Sequence, residues 1–233
     1  MRTLVVVSGS RAALDWAQRT AGLDGTVRLA NGDGDAGDDA LIEAADRLGA
    51  DAVVVGRDRR GFATSAGRPV VVVPDRLDGV ARSLEPGATV VVGIGHGPAT
   101  RAALVWAAGL ARRRDLALSL VRAVSLPSLL RVEGLAELLA YTIDPGALHE
   151  WAEQDLAELA EEVHRLDQDH LPITWRTRSG RAGPALVDAA SSAALLVVGV
   201  HRGSLVDLAN APALRHVLDN APCPVAVIPA VDE

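Results

Sequence analysis

Basic, hydroxyl-bearing and glycine residues follow two short Val-rich stretches of this 233-residue sequence. After ALLVVG at 194–199 come His201, Arg202, Gly203 and Ser204, and after DAVVV at 51–55 comes GRDRRG at 56–61. Basic side chains, and backbone N–H groups at glycines, bind phosphates and carboxylates. These residues therefore offer anion binding. The alternative is that they are solvated loop charges, partly paired with Asp58 and Asp207.

An internal repeat predicts the elements that must position these residues. RAALDWA at 11–17 returns as RAALVWA at 101–107, each after a Val-rich run, at 3–7 and 89–94. Two further pairs follow in the same order: 40–56 with 185–199, and RPVVVVPD at 68–75 with CPVAVIPA at 223–230. Runs of β-branched residues are typical of buried parallel strands, and the Ala and Trp spacing is typical of a helix that packs on a sheet. We therefore predict that Trp16 and Trp106 are core residues.

The second copy alternates five strands with four helices, which favours a doubly wound parallel sheet. The predicted elements are β(89–94), α(99–113), β(116–123), α(146–168), β(172–178), α(181–192), β(195–199), α(205–219) and β(224–228). The first copy keeps four strands and lacks the helix before its last strand. The predicted division is a truncated repeat at 1–78, a linker at 79–88 and a complete domain at 89–233.

Two segments of the second copy have no counterpart in the first. The helix near 146–166 carries an apolar stripe that we expect to face the core: Leu148, Trp151, Leu156, Leu159, Val163 and Leu166. Residues 125–143 form a Leu-rich insert, which is either a cover over the sheet edge or a surface for a partner.

Three stretches of the second copy are similar to the universal stress protein family: VVVGIGHGPATRAALVWAAGLARRR, ALLVVGVHRGS and VLDNAPCPVAVIP. The whole chain resembles a tandem of that family with a truncated first repeat. The resemblance implies a Rossmann-like five-stranded sheet of order 3-2-1-4-5 that pairs with another such domain through its last strand. It also implies, for many members, ATP bound at the carboxyl ends of the strands by Gly-x-x-Gly-x9-Gly-Ser/Thr and by an acid after the first strand.

The sequence departs from this ATP-binding pattern at most of its points. Gly95 stands where the acid belongs, Arg202 stands at the second glycine of the motif unless a residue is deleted there, and Ala211-Pro212 stands at Gly-Ser. Proline has no N–H to donate, and the added Cβ of alanine hinders close approach of a phosphate. The candidate nucleotide or anion pocket comprises Gly93, Gly95, Gly199, His201, Arg202, Gly203 and Ser204.

Composition and missing motifs argue against several other functions. The net charge of −7 disfavours nucleic acid, and no apolar run is long enough to cross a membrane. The single Cys223 permits no intrachain disulfide. The acidic stretches at 31–39 and 164–170 are interpreted as solvated loop and helix-end residues, so no metal site is predicted. No hydrolase or P-loop motif is present, and no catalytic residue is predicted.

These patterns predict a cytoplasmic, non-enzymatic regulatory module with a degenerate nucleotide pocket, acting mainly on an unknown regulatory protein. It requires no cofactor. The alternatives are a true ATP binder with weak ATPase activity and a purely structural dimer element. Because exposed strand edges invite pairing, VVVV at 70–73 and VAVI at 225–228 are expected to pair with each other within the chain or across a dimer.

Overall fold

The computed structural model describes residues 3–7, 10–21, 26–30, 38–77, 84–95, 97–125, 145–166, 171–201 and 211–230. These residues form one sheet of nine strands with helices on both faces. The strands are β1 (Thr3–Val7), β2 (Thr26–Ala30), β3 (Ala52–Gly56), β4 (Val70–Val73), β5 (Thr89–Gly93), β6 (Ala117–Val124), β7 (Ile173–Ser179), β8 (Leu195–Val200) and β9 (Val225–Pro229). Their order across the sheet is β2-β1-β3-β4-β9-β8-β5-β6-β7.

Seven helices accompany the strands in the described part of the chain. They are α1 (Arg11–Ala21), α2 (Asp38–Arg47), α3 (Phe62–Ser65), α4 (Pro98–Arg114), α5 (Pro145–Leu166), α6 (Ala182–Ala189) and α7 (Pro212–Asn220). A 3-10 turn, Arg57–Arg59, lies between β3 and α3. None of the described helices is long and apolar enough to cross a membrane.

The sheet consists of two parallel units joined by one antiparallel pair. Strands β1–β4 form the N-terminal unit and strands β5–β9 form the C-terminal unit. In the C-terminal unit the strands run in the order β7-β6-β5-β8-β9, which confirms the predicted order 3-2-1-4-5. The units meet where Val71 of β4 lies opposite Ala226 of β9. The expected pairing of the last strands therefore occurs within the chain.

The same backbone contact recurs in both units, beside the prolines that precede their last strands. The Pro69 carbonyl accepts a hydrogen bond from the N–H of Val53 (3.0 Å), and the Pro224 carbonyl accepts one from the N–H of Leu196 (2.9 Å). Proline keeps its carbonyl as an acceptor while it loses its donor, so it fits the first position of such a strand. The repeat in the sequence thus corresponds to a repeated hydrogen-bonding pattern.

Two core clusters lie on opposite faces of the sheet. Helices α1, α4 and α5 cover one face, and α2, α3, α6 and α7 cover the other. Trp16 is fully buried and Trp106 is half-buried against the same cluster, which agrees with the core prediction for both. The two similar heptads therefore contribute to a single core that spans both units.

Two predicted features of the helices are wrong. Trp151 is 76% exposed, because the buried stripe of α5 runs through Ala152, Leu156, Ala160 and Val163 and leaves position 151 on the far side. The predicted helix 205–219 is interrupted at Ala211, which has φ −121° and ψ 68°, so α7 begins at Pro212; residues 205–210 lie outside the described part of the chain. Proline suits the first helical position, where no N–H is needed.

Between β3 and β4, where the sequence predicts no helix, the structure has the four-residue helix α3. Most of the insert at 125–143 lies outside the described residues.

Candidate functional site

A cavity of about 520 Å³ lies at the carboxyl ends of β5, β6 and β8. Both faces of the sheet contribute to it, through the start of α4 on one side and α6 and α7 on the other. The edge of an open α/β sheet where strand order reverses is where such folds bind ligands. The lining residues are Thr64, Gly93, Ile94, Gly95, Ala99, Thr100, Val121, Arg122, Ala123, Ala182, Leu186, Val198, Gly199, Val200, His201, Ala211, Pro212, Ala213, Leu214 and Val217.

Four of the predicted pocket residues line this cavity, namely Gly93, Gly95, Gly199 and His201. His201 is exposed at the rim. The other three, Arg202, Gly203 and Ser204, lie outside the described residues. The structure therefore brings the described members of the predicted set together at one end of the sheet.

Packing inside the protein requires glycine at 199 and leaves little room for a side chain at 93. A Cβ on Gly199 would lie 2.0 Å from the backbone oxygen of Ala99, at the start of α4. A Cβ on Gly93 would lie 3.0 Å from Cδ1 of Leu186. Helix α4 can approach β8 closely only because residue 199 has no side chain. Glycine at 199 is thus explained without any ligand.

Gly95 follows β5 and makes hydrogen bonds with two neighbouring side chains. Its N–H donates to Oγ1 of Thr100 (3.1 Å), and its carbonyl accepts from Nη2 of Arg122 (3.1 Å). Arg122 is buried at the end of β6 and also forms an ion pair with Asp155 of α5. This chain has no acidic side chain at position 95, and the backbone N–H and carbonyl of Gly95 are both hydrogen-bonded within the protein.

Sequence reasoning did not single out Arg122. The signal was present, because Arg122 is the one charged residue in the mostly apolar run ALSLVRAV of β6. A lone arginine near the carboxyl end of a buried strand needs a partner, and Asp155 supplies it. Asp155 lies in the helix that the repeat comparison treated as an insertion.

The first turn of α7 lacks features that bind phosphate. Ala211 precedes the helix and offers no side-chain cap, and Pro212 at the helix start has no N–H. A helix start normally presents several free N–H groups to an anion. Here Pro212 reduces that number by one.

The matching edge of the N-terminal unit is filled by its own side chains. A Cβ on Gly56 would lie 2.4 Å from Oδ1 of Asp58 and 2.5 Å from Cβ of Ser10. Arg57, in the turn that follows, donates from Nη2 to the carbonyl of Ala221 (2.7 Å). The Nε of Arg60 lies 2.7 Å from Oδ1 of Asp219.

Two of the arginines predicted as anion ligands thus contact the C-terminal unit. Arg57 and Arg60 thus contact Ala221 and Asp219, whereas Asp207, the other acid considered as a partner, lies outside the described residues. They tie the N-terminal unit to the end of α7.

Clusters of metal-ligating side chains and the single cysteine are two further kinds of candidate site. Among the described residues no cluster of three or more His, Cys, Asp or Glu side chains could hold a metal ion. Most of 31–39, and all of 167–170, lie outside that part of the chain. Burial raises the pKa of the Cys223 thiol to about 12. This thiol is therefore protonated at neutral pH and is a poor nucleophile.

A doubly wound α/β sheet with a cavity at its switch point defines the class of this protein. The universal stress protein family model matches residues 88–229, which is more than half of the chain. The chain therefore belongs to the universal stress protein family. No curated protein matches the sequence.

Two solved structures illustrate the likeness in fold. A universal stress protein from Archaeoglobus fulgidus is 14% identical with a TM-score of 0.56, over 90% of this chain and 71% of that one. A protein of unknown function from Pseudomonas aeruginosa is also 14% identical, with a TM-score of 0.62, over 99% of this chain and 93% of that one. At these identities the likeness shows the fold alone.

Proposed function

We propose that this universal stress protein is a non-catalytic regulatory module whose nucleotide pocket is degenerate and which acts mainly through protein contacts. It is composed of a truncated repeat at 1–78, a linker at 79–88 and a complete repeat at 89–233. The observation that carries the proposal is the environment of Gly95. Where ATP-binding relatives are expected to carry an acid, this chain has a glycine whose N–H and carbonyl are bound by Thr100 and Arg122.

The charges of the cavity support the same conclusion. The guanidinium of Arg122 is compensated by Asp155, and Pro212 removes one N–H from the start of α7. A charge-assisted hydrogen bond contributes ~1.5–3 kcal/mol. Loss of the acid and of the phosphate turn together removes ~2–4 kcal/mol of nucleotide binding, which is roughly 30- to 1000-fold in affinity.

Protein contacts are supported by large apolar side chains on the surface. Trp151 is 76% exposed on α5, and Trp175 is 44% exposed on β7 at the edge of the sheet. Exposed tryptophans are frequent in protein interfaces. Self-association through β9, the strand that pairs in the family, is blocked here because β4 already occupies it. We propose that the partner is a regulatory protein in the cytoplasm and not a nucleic acid or a membrane.

The alternative function is adenine-nucleotide binding, with or without slow ATP hydrolysis. The size and position of the cavity favour it, since ligand sites usually measure ~300–1,000 Å³. Under this alternative His201 and the residues after it contact phosphate in place of the missing acid and hydroxyl.

Isothermal titration and thermal shift with Mg-ATP, ADP and AMP separate the two functions. The proposal predicts no saturable binding by the native protein below millimolar nucleotide. Replacing Gly95→Asp together with Pro212→Ser restores two features of the binding pattern and is expected to raise ATP affinity at least tenfold. Gly95→Ala with Pro212→Ala is the matched control, because it returns the backbone N–H at position 212 but supplies neither the acid nor the hydroxyl.

A saturable shift of the native protein with micromolar ATP, abolished by His201→Ala, contradicts the proposal and supports the alternative.

A further inference from the structure

Three polar side chains that line the cavity, those of Thr64, Thr100 and Arg122, are bound to the protein, and the fourth, His201, lies at its exposed rim. Thr100 Oγ1 accepts the N–H of Gly95, and Thr64 Oγ1 donates to the carbonyl of Gly61 (2.9 Å). The guanidinium of Arg122 donates to Asp155 and to Gly95. Both hydroxyls keep unused capacity, since Thr100 can still donate its proton and both oxygens can still accept a hydrogen bond. At these two positions the cavity therefore offers a neutral donor and neutral acceptors.

The rest of the wall is mostly aliphatic. Val121, Leu186, Val198, Leu214 and Val217 are buried side chains from two strands and two helices. Among the described lining residues Arg122 is the one Lys, Arg, Asp or Glu, and its ion pair with Asp155 leaves no net charge at that point. An anion that enters this wall loses its hydration and gains little attraction. A neutral apolar molecule has no comparable hydration to lose when it enters the cavity.

Thr64 comes from the N-terminal unit, although the rest of the described lining belongs to the C-terminal unit. It lies on α3, next to the turn whose Arg57 and Arg60 hold the end of α7. Helix α7 in turn carries Leu214 and Val217 into the cavity. The short helix that replaces a full one in the truncated unit thus forms part of the wall of the other unit's cavity.

We propose that this cavity is a two-unit site for an uncharged, mainly apolar small molecule with a carbonyl or hydroxyl group, completed by Thr64. The proposal rests on the proposed function in one respect, namely that the pocket no longer favours nucleotides. The apolar body packs among the aliphatic side chains. Its polar group meets the hydroxyls of Thr64 and Thr100.

Two fluorescent probes of the same aromatic skeleton test the ligand class. N-phenyl-1-naphthylamine is neutral, and 1-anilinonaphthalene-8-sulfonate adds one negative charge. Titration of the full chain is expected to give one site for the neutral probe, with at least tenfold weaker binding of the sulfonate. Equal or tighter binding of the sulfonate, or no saturable binding of the neutral probe, overturns the proposal.

Asp155→Asn tests the charge argument, because it removes the partner of Arg122 with little change in shape. The sulfonate is expected to bind at least threefold more tightly to this variant, while binding of the neutral probe stays unchanged. Glu158→Gln, an exposed position of the same helix, is the control and leaves both probes unaffected. An unchanged ratio of the two affinities in Asp155→Asn contradicts the compensation by Asp155.

Thr64→Phe tests the contribution of the N-terminal unit by filling the cavity from that side. It is expected to weaken the neutral probe at least fivefold, whereas Ser65→Phe, at the exposed neighbouring position, leaves it unchanged. Ala182→Phe fills the cavity from an exposed position of α6 and gives the same loss if Thr64→Phe fails to fold. If the neutral probe still binds to those filling variants that fold, it binds elsewhere on the protein and the proposed site is overturned.

These outcomes are distinct from those for nucleotides. Tight ATP binding by the native protein contradicts the proposed function. If neither the probes nor nucleotide bind, the two-unit site is contradicted and the proposed function is not.

Discussion

The substitution Gly199→Ala tests whether glycine at 199 serves packing or phosphate binding. Gly199 has no positive φ, so its backbone conformation admits any residue. The added Cβ would lie 2.0 Å from the Ala99 oxygen and 2.4 Å from its carbonyl carbon. Non-bonded carbon contacts require ~3.5 Å, so the start of α4 must move by about 1 Å or more.

Overpacking of this kind costs ~1–3 kcal/mol, and a backbone neighbour that cannot rotate away places Gly199→Ala near 3 kcal/mol. For a chain of this size that is a loss of about 6–12 °C in melting temperature, measured by circular dichroism or calorimetry. Gly95→Ala is the matched control, because its Cβ would meet only Thr100 Oγ1 at 3.4 Å. A Gly199→Ala protein that melts within 2 °C of the native one refutes the packing explanation.

Three further predictions concern the two units and the core. Replacing Arg60 and Asp219 by alanine, singly and together, gives a coupling of about 0.5 kcal/mol in urea unfolding, small because both side chains are about a third exposed; zero coupling contradicts the tie between units. The raised pKa of Cys223 slows iodoacetamide labelling at pH 8 roughly a thousandfold relative to the unfolded chain, and the free energy of unfolding falls as pH rises from 9 towards 12, because the unfolded thiol ionises first; fast native labelling contradicts its burial. Trp16→Ala destabilises by ~3–5 kcal/mol, whereas Trp151→Ala changes stability by less than about 0.5 kcal/mol; equal losses in thermal unfolding contradict the assigned environments.

Most of the sheet could be predicted from the sequence because its strands are short β-branched runs separated by turn and helix signals. The last strands VVVV and VAVI are buried on both faces, so they carry no polar alternation and stand out as continuous runs. The family resemblance added their order and their pairing. The local sequence pattern and the fold agree for these strands, which is why their predicted bounds lie within a residue or two of those observed.

The parts that could not be predicted depend on contacts between distant segments. Arg122 and Asp155 are 33 positions apart, and Arg57 lies 164 positions from the Ala221 carbonyl. Helical periodicity placed Trp151 on the buried stripe because it counts apolar residues, although the small Ala152 and Ala160 pack closer to the sheet. The start of α7 was predicted too early since Pro212, not the apolar pattern, sets where the helix begins.

The described members of the predicted pocket lie around one cavity, but their contacts could not be predicted from the sequence. Gly93, Gly95 and Gly199 all line that cavity. Their physical roles differ, since Gly199 admits α4 and Gly95 is bound by side chains that a motif search does not consider. The contribution of Thr64 could not be predicted, because it depends on how the truncated unit folds back beside α7.

A native mass spectrum of the protein purified without added ligand reports the number of chains and any retained nucleotide together. We expect one species at the mass of a single chain, 24.2 kDa, because β4 occupies the strand edge of β9 and the pocket does not retain nucleotide. A predominant dimer, or a stoichiometric adduct with the mass of ATP or ADP, would contradict it.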